Sequence, residues 1–244
     1  MRRRLVLAGL LAPTLLGRSR LAVANEPVPV PDSFVFVPGP LEAVRAAVRK
    51  KSLALMAIVG PYLNAEAARD PTMTYPTQLL ARLRIAWPGV TIRLALLPIA
   101  RAEAVEFEHD LVNGLTQHVP SLVLWGPGGS AAARGDDISS FHAQVSSGIK
   151  AVQAAGADLI LMTPQFAPML ARLMDLPPYR ETVLQEAQDA GVAVLDRYEL
   201  MRYWSDNAFL DLDASTQSAQ ASVARQANGW MADLLTGGIT RAIA

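Results

Sequence analysis

The chain has 244 residues, 51% of them apolar and 18% charged, a composition that suits one globular domain with a sizeable buried core. Its 22 basic and 22 acidic side chains cancel, so no global field draws it to nucleic acid or to an anionic membrane surface. Cysteine is absent, which excludes disulfides, thiolate metal sites and cysteine nucleophiles.

The first residues read as a targeting segment. Met1-Arg2-Arg3-Arg4 is basic, residues 5–16 form a short apolar run, and Ala22-Val23-Ala24 has the small-x-small pattern of a cleavage site. The run is short for a bilayer span, and Arg18 and Arg20 close it. Residues 1–24 are therefore expected to be a bacterial signal peptide, and the consecutive arginines admit the Tat route as well as Sec. The expected location is periplasmic or secreted, with no transmembrane span once the signal is removed. Residues 25–40 hold five prolines, which remove backbone donors and favour extended chain, so an N-terminal arm is expected there. A single domain is expected over 41–244.

Apolar residues at helical spacing (Leu41, Val44, Ala47 and Val48) predict a helix over 41–51. Residues 53–59 are a continuous apolar run stopped by Gly60-Pro61, which predicts a strand buried on both faces. A helix follows over 75–86, broken by Trp87-Pro88-Gly89; then come a strand over 90–97 and a helix over 102–116. The third strand, 120–125, runs into Gly126-Pro127-Gly128-Gly129. A helix over 137–155 has Asp136-Asp137 at its positive end and Gly156 behind it. The fourth strand is expected over 157–162, a helix over 179–190 closed by Gly191, the fifth strand over 192–195, and a last long helix over 219–235. Buried strands alternating with helices predict an α/β protein: a three-layer α/β/α sandwich around a five-stranded parallel sheet in flavodoxin-like order. Ligands of such sheets sit at the carboxyl ends of the strands, here the loops that begin at Gly60, Leu97, Gly126, Thr163 and Asp196.

Those loops contain recognisable blocks. They are Gly60-Pro61-Tyr62, Tyr75-Pro76, Pro120-Ser121-Leu122-Val123-Leu124-Trp125, Ala155-Gly156-Ala157-Asp158, Pro164-Gln165 and Asp211-Leu212-Asp213-Ala214. Over residues 52–236 their order resembles an exported bacterial branch of the SGNH/GDSL hydrolase family. The resemblance implies the flavodoxin-like fold and places four reactive positions. A serine after strand one would attack the acyl carbonyl, a glycine N–H and an asparagine side chain would receive the oxyanion, and a histidine near the end would act as base. Here the nucleophile position holds Tyr62, the glycine position Ile99, the asparagine position Ser130 and the histidine position Ala214, while Asp211 is kept. A phenol, with an ordinary pKa near 10, ends too far from the backbone to take a serine's attack point. A serine hydroxyl at 130 is a shorter donor than an asparagine amide. His109 and His142 fall in helices and His118 at the amino end of the sheet, so none is expected to replace the missing base.

Other patterns weigh less. Gly126-Pro127-Gly128-Gly129-Ser130 lacks the lysine of a phosphate loop, and the Asp136-Asp137 and Asp211/Asp213 pairs lack calcium-loop spacing. No cofactor and no metal are expected. After strand five, Arg197, Tyr203 and Trp204 fall on the ligand side; with Tyr62, Trp125 and Ser130 they are candidate binding residues, because aromatic faces stack on sugars and arginine holds carboxylate or phosphate. The plainer expectation is that this cluster packs the last helix onto the sheet. Three functions stay open. One is a non-catalytic exported protein that binds a carbohydrate, an acylated ligand or an envelope protein partner in envelope or exopolysaccharide metabolism. The second is an active esterase or acyltransferase with a rearranged site. The third is a structural interaction module whose former cleft is filled by Tyr62 and Ile99.

Overall fold

The computed structural model describes residues 28–32, 34, 36, 39–60, 69–99 and 104–244, and of 104–106 the backbone alone. The expected signal peptide and Tyr62 lie outside the described residues. Five parallel strands, β1 (Ser52–Val59), β2 (Thr91–Pro98), β3 (Leu122–Trp125), β4 (Asp158–Met162) and β5 (Ala193–Leu195), form one sheet in the order β2-β1-β3-β4-β5. The register brings Ile58 of β1 level with Trp125 of β3, and Trp125 level with Leu161 of β4. Every residue of β1 after Ser52 is buried, as is all of β3, because both strands are covered on two faces. β2 is an edge strand and keeps Thr91 and Arg93 exposed.

The helices are α1 (Glu42–Arg49), α2 (Tyr75–Ala86), α3 (Ala104–His118), α4 (Gly129–Arg134), α5 (Ile138–Ala154), α6 (Pro168–Leu173), α7 (Pro177–Ala190), α8 (Arg197–Asp206) and α9 (Gln217–Ile243). α2 and α1 pack with α9, while α5 packs between α3 and α7, which gives the two outer layers of the sandwich. Among the described residues no helix is long and apolar enough to cross a membrane.

α2 has the bounds that periodicity predicts. α5 begins where expected because the Asp137 carboxylate accepts the Ser140 amide at 3.0 Å; Asp136 instead pairs with Arg134, and its carbonyl accepts the Tyr179 hydroxyl at 2.6 Å. Three helices were not expected: α4, α6 and α8, all in the loops at the carboxyl ends of strands. α4 and α6 are six residues each, too short to show a periodic stripe.

α9 also departs from expectation, running to Ile243 where a stop at 235 was predicted. Gly237-Gly238 reads as a helix end, yet α9 runs through it and Gly238 seats the arm. A β-carbon at Gly238 would lie 2.3 Å from the buried Phe36 ring. The arm is held a second time where the Trp204 indole donates to the Pro29 carbonyl at 2.6 Å. On the opposite face of the sheet, Trp125 stacks on Phe107 with ring centroids 5.1 Å apart, and Gly148 of α5 leaves the space its ring needs.

Candidate functional site

The carboxyl ends of β1, β3, β4 and β5 open on a cleft of about 560 Å³. Each strand end supplies one wall: Gly60 from β1, Gly126 and Ser130 from β3, Gln165 from β4 and Arg197 from β5. Tyr75, the first residue of α2, closes the floor, and Leu170, Met174 and Leu176 form an apolar side. A second lobe of about 340 Å³ shares Tyr75, Gln165, Leu170 and Arg197 and contains Asp211 and Ala214. A narrower recess of about 80 Å³ lies on the other side of Gly60 and Ser130.

Thr163, buried just past β4, organises the β5 side. Its hydroxyl donates to Asp196 Oδ1 at 2.9 Å and accepts the Tyr198 amide at 2.9 Å, while its carbonyl accepts Arg197 Nε at 3.1 Å. Asp196 caps α8 by accepting the Glu199 amide at 3.3 Å, and it also accepts Arg180 Nε at 3.0 Å. Arg180 in turn lies over the Tyr198 ring, 5.8 Å from its centroid. The Arg197 guanidinium is thus held by backbone at Nε, while Nη2 lies beside Gly126 and the side chain lines the cleft. Gly126 gives it room: a β-carbon there would stand 3.4 Å from Nη2.

Burial pushes the Arg197 pKa down, with only the nearby Tyr75 phenol acting in the other direction, and among the described residues no carboxylate pairs with it. Burial also pushes the Tyr75 phenol up to about 12, against the pull of Arg197. A phenol whose folded pKa lies above its ordinary 10.0 stabilises the fold below that pH, and the contribution is lost as pH rises through about 12. An ultraviolet titration is expected to show a tyrosine transition near pH 12 that is absent from Tyr75→Phe. Unchanged curves for the two proteins would show that this phenol is not the late one.

The sequence candidates separate into two groups. Ser130 is exposed on α4 with its Oγ facing β1, 3.7 Å from where a Gly60 β-carbon would be, and it borders the cleft. Arg197 sits at its centre. Asp211 and Ala214 line the second lobe, where Asp211 Oδ1 accepts the Asp213 amide at 3.2 Å and its carbonyl accepts the Ala214 amide at 3.1 Å. Ile99 donates its amide to the Val59 carbonyl and lines the narrow recess, together with Trp125.

Tyr203 and Trp204 do not face the cleft. Tyr203 packs on Phe209 with centroids 5.7 Å apart, and Trp204 is wholly buried, edge-on to Trp230 of α9. The reason is α8 itself. Wound as a helix, the segment places Trp204 roughly 10 Å along the axis from Arg197 and turns it toward Trp230 of α9. None of the three histidines lines the lobes: His142 Nε2 contacts Glu186 Oε1 of α7 at 2.6 Å, His109 is exposed on α3, and His118 ends α3 at the amino edge of the sheet. Among the described residues no cluster of His, Asp and Glu could hold a metal ion.

Tyr75 and Gln165 stand in the recognised blocks but were not expected in the site, and the Thr163–Asp196–Arg180 network was not expected at all. One signal was available: Asp196-Arg197-Tyr198-Glu199 has the spacing of a capping box, which marks a helix start at 197.

A parallel 2-1-3-4-5 sheet whose cleft is built from these particular loops defines a protein of the SGNH-hydrolase fold. The sequence model of the non-GDSL lipase-like family matches residues 27–244, and the chain belongs to that family. Solved structures agree in fold. They include TesA (TM-score 0.56, 18% identity, covering 78% of this chain and 99% of that one) and LAE5, an alpha/beta hydrolase enzyme from the metagenome of Lake Arreo, Spain (0.60, 17%, 79% and 96%). A catalytic mutant of Axe2, an acetylxylan esterase from Geobacillus stearothermophilus, is similar to the same extent (0.56, 16%, 79% and 94%). At these identities the likeness establishes the fold alone. Among curated protein sequences none matches the chain.

Proposed function

We propose that the protein is an exported, non-hydrolytic member of its family that binds a ligand in the cleft at the carboxyl ends of β1, β3 and β5. One observation carries the reading: the group that commands the cleft is the Arg197 guanidinium, and Ala214 stands in the second lobe at the place where the resemblance puts the base. Arginine stays protonated, so it binds anions and cannot take a proton from a nucleophile. With Tyr62 at the nucleophile position and no imidazole at the lobes, the acyl-transfer mechanism has neither of its reacting groups. Export rests on residues 1–24, and the setting that follows is envelope or exopolysaccharide metabolism.

The second reading is an esterase rearranged around Ser130, favoured by the exposure of that hydroxyl beside Gly60. Assay of the mature protein on short-chain nitrophenyl esters separates the two. Loss of a triad member costs about 10⁴-fold in rate or more, so turnover is expected at the buffer background. Ser130→Ala is expected to match wild type, and a serine-directed phosphonate to leave the protein unlabelled. Turnover that disappears in Ser130→Ala would establish the esterase instead.

A further inference from the structure

Resting on the non-hydrolytic reading, we propose that the cleft holds an amphipathic monocarboxylate, its carboxylate gripped by the guanidinium of Arg197 and its hydrocarbon chain lying along Leu170, Met174 and Leu176.

The anion follows from the charge count. Arg197 is the one charged side chain among the described residues that line the 560 Å³ lobe. Its Nε is committed to the Thr163 carbonyl, and its neighbour Asp196 is committed to Arg180, Thr163 and the Glu199 amide. The acidic groups of the adjoining lobe are engaged elsewhere. Asp213 lies 3.6 Å from Arg172, and Asp211 accepts a backbone amide; both are exposed. A half-buried cation with no carboxylate partner among the described residues is costly, and a bound anion relieves that cost. Tyr75 provides a second, independent group. It is 2% exposed, its phenol remains protonated far above neutral pH, and its hydroxyl makes no hydrogen bond among the described residues, so it can donate to the same carboxylate.

The class of anion follows from charge and shape. One guanidinium balances one negative charge, which matches a carboxylate better than a phosphate monoester carrying nearly two. The walls decide against a sugar acid. Trp125, Tyr203 and Trp204, which could have offered flat faces to a ring, are packed against other aromatics, whereas the cleft presents Leu170, Met174 and Leu176. The volume falls in the range usual for small-molecule sites.

The test is calorimetric titration of the mature wild-type protein with decanoate, decanol, decyl phosphate and glucuronate, each below its aggregation limit. Decanoate is expected to bind saturably at one site, at least about tenfold more tightly than decanol or decyl phosphate, with no binding of glucuronate; a charge-assisted pair accounts for that factor. Arg197→Gln is expected to weaken decanoate about tenfold or more. Gln165→Glu places a negative charge at the mouth of the cleft on an exposed residue and is expected to do the same, so the inference is still tested if the Arg197 variant fails to fold. Equal affinity for decanol, preference for decyl phosphate or glucuronate, or undiminished decanoate binding in Gln165→Glu would overturn the proposal. No decanoate binding and no ester turnover would overturn this inference alone. Turnover of nitrophenyl decanoate abolished by Ser130→Ala would overturn the non-hydrolytic reading, and with it decanoate as a retained ligand.

Discussion

Trp204→Ala is expected to remove about 3–5 kcal/mol of stability, the usual cost of truncating a wholly buried aromatic. Three contacts go together: the packing volume itself, the edge-on contact with Trp230 at 5.1 Å, and the indole hydrogen bond to the Pro29 carbonyl. Against a total of roughly 5–15 kcal/mol for a domain, this is a large share. The melting temperature is expected to fall by about 10 °C or more, with the arm around Pro29 becoming open to proteolysis. Trp204→Phe keeps most of the volume and loses the donor, so it is expected to lie between the two. A Trp204→Ala protein that melts like wild type but has lost ligand affinity would place this residue in the cleft after all.

Asp196→Ala is expected to cost about 2–4 kcal/mol and to loosen the site as well. The carboxylate caps α8, receives Thr163, and pairs with Arg180, whose pKa it holds above the usual value. A cap alone contributes about 1 kcal/mol. The ion pair is partly screened, at 26% and 20% side-chain exposure, so its loss costs less than that of a fully buried one. Asn at 196 retains a capping oxygen and is expected to recover roughly the cap's share. Because α8 begins at Arg197, the Ala variant is also expected to weaken binding in the cleft without any change to the Arg197 side chain. Denaturant melts together with a decanoate titration check both parts; equal stability of Asp196→Ala and wild type would show that Thr163 and Arg180 find other partners.

Much of the fold is legible in the residues because its signals are local. The run over 53–59 is apolar at every position after Ser52 since β1 is covered on both faces, and Gly156 and Gly191 mark helix ends because they adopt positive φ. Where the residues misled, a long-range contact had overruled a local rule. Gly237-Gly238 resembles a terminator, but Phe36 from the arm packs there and α9 continues through it. The aromatic cluster after β5 is different: it packs as its plainer reading expects, with Trp204 in the core against Trp230, while Arg197 lines the cleft.

The sequence by itself determined the alternation of strands and helices and the strand-end loops that line the cleft. Only the tertiary structure decided that Tyr75, Gln165 and Arg197 meet, and that Trp204 does not join them. Periodicity reports how a residue relates to its near neighbours. The meeting of residues 75, 165 and 197 depends on sheet order and on the rotation of each helix about its axis, which are settled by packing between segments distant in the chain.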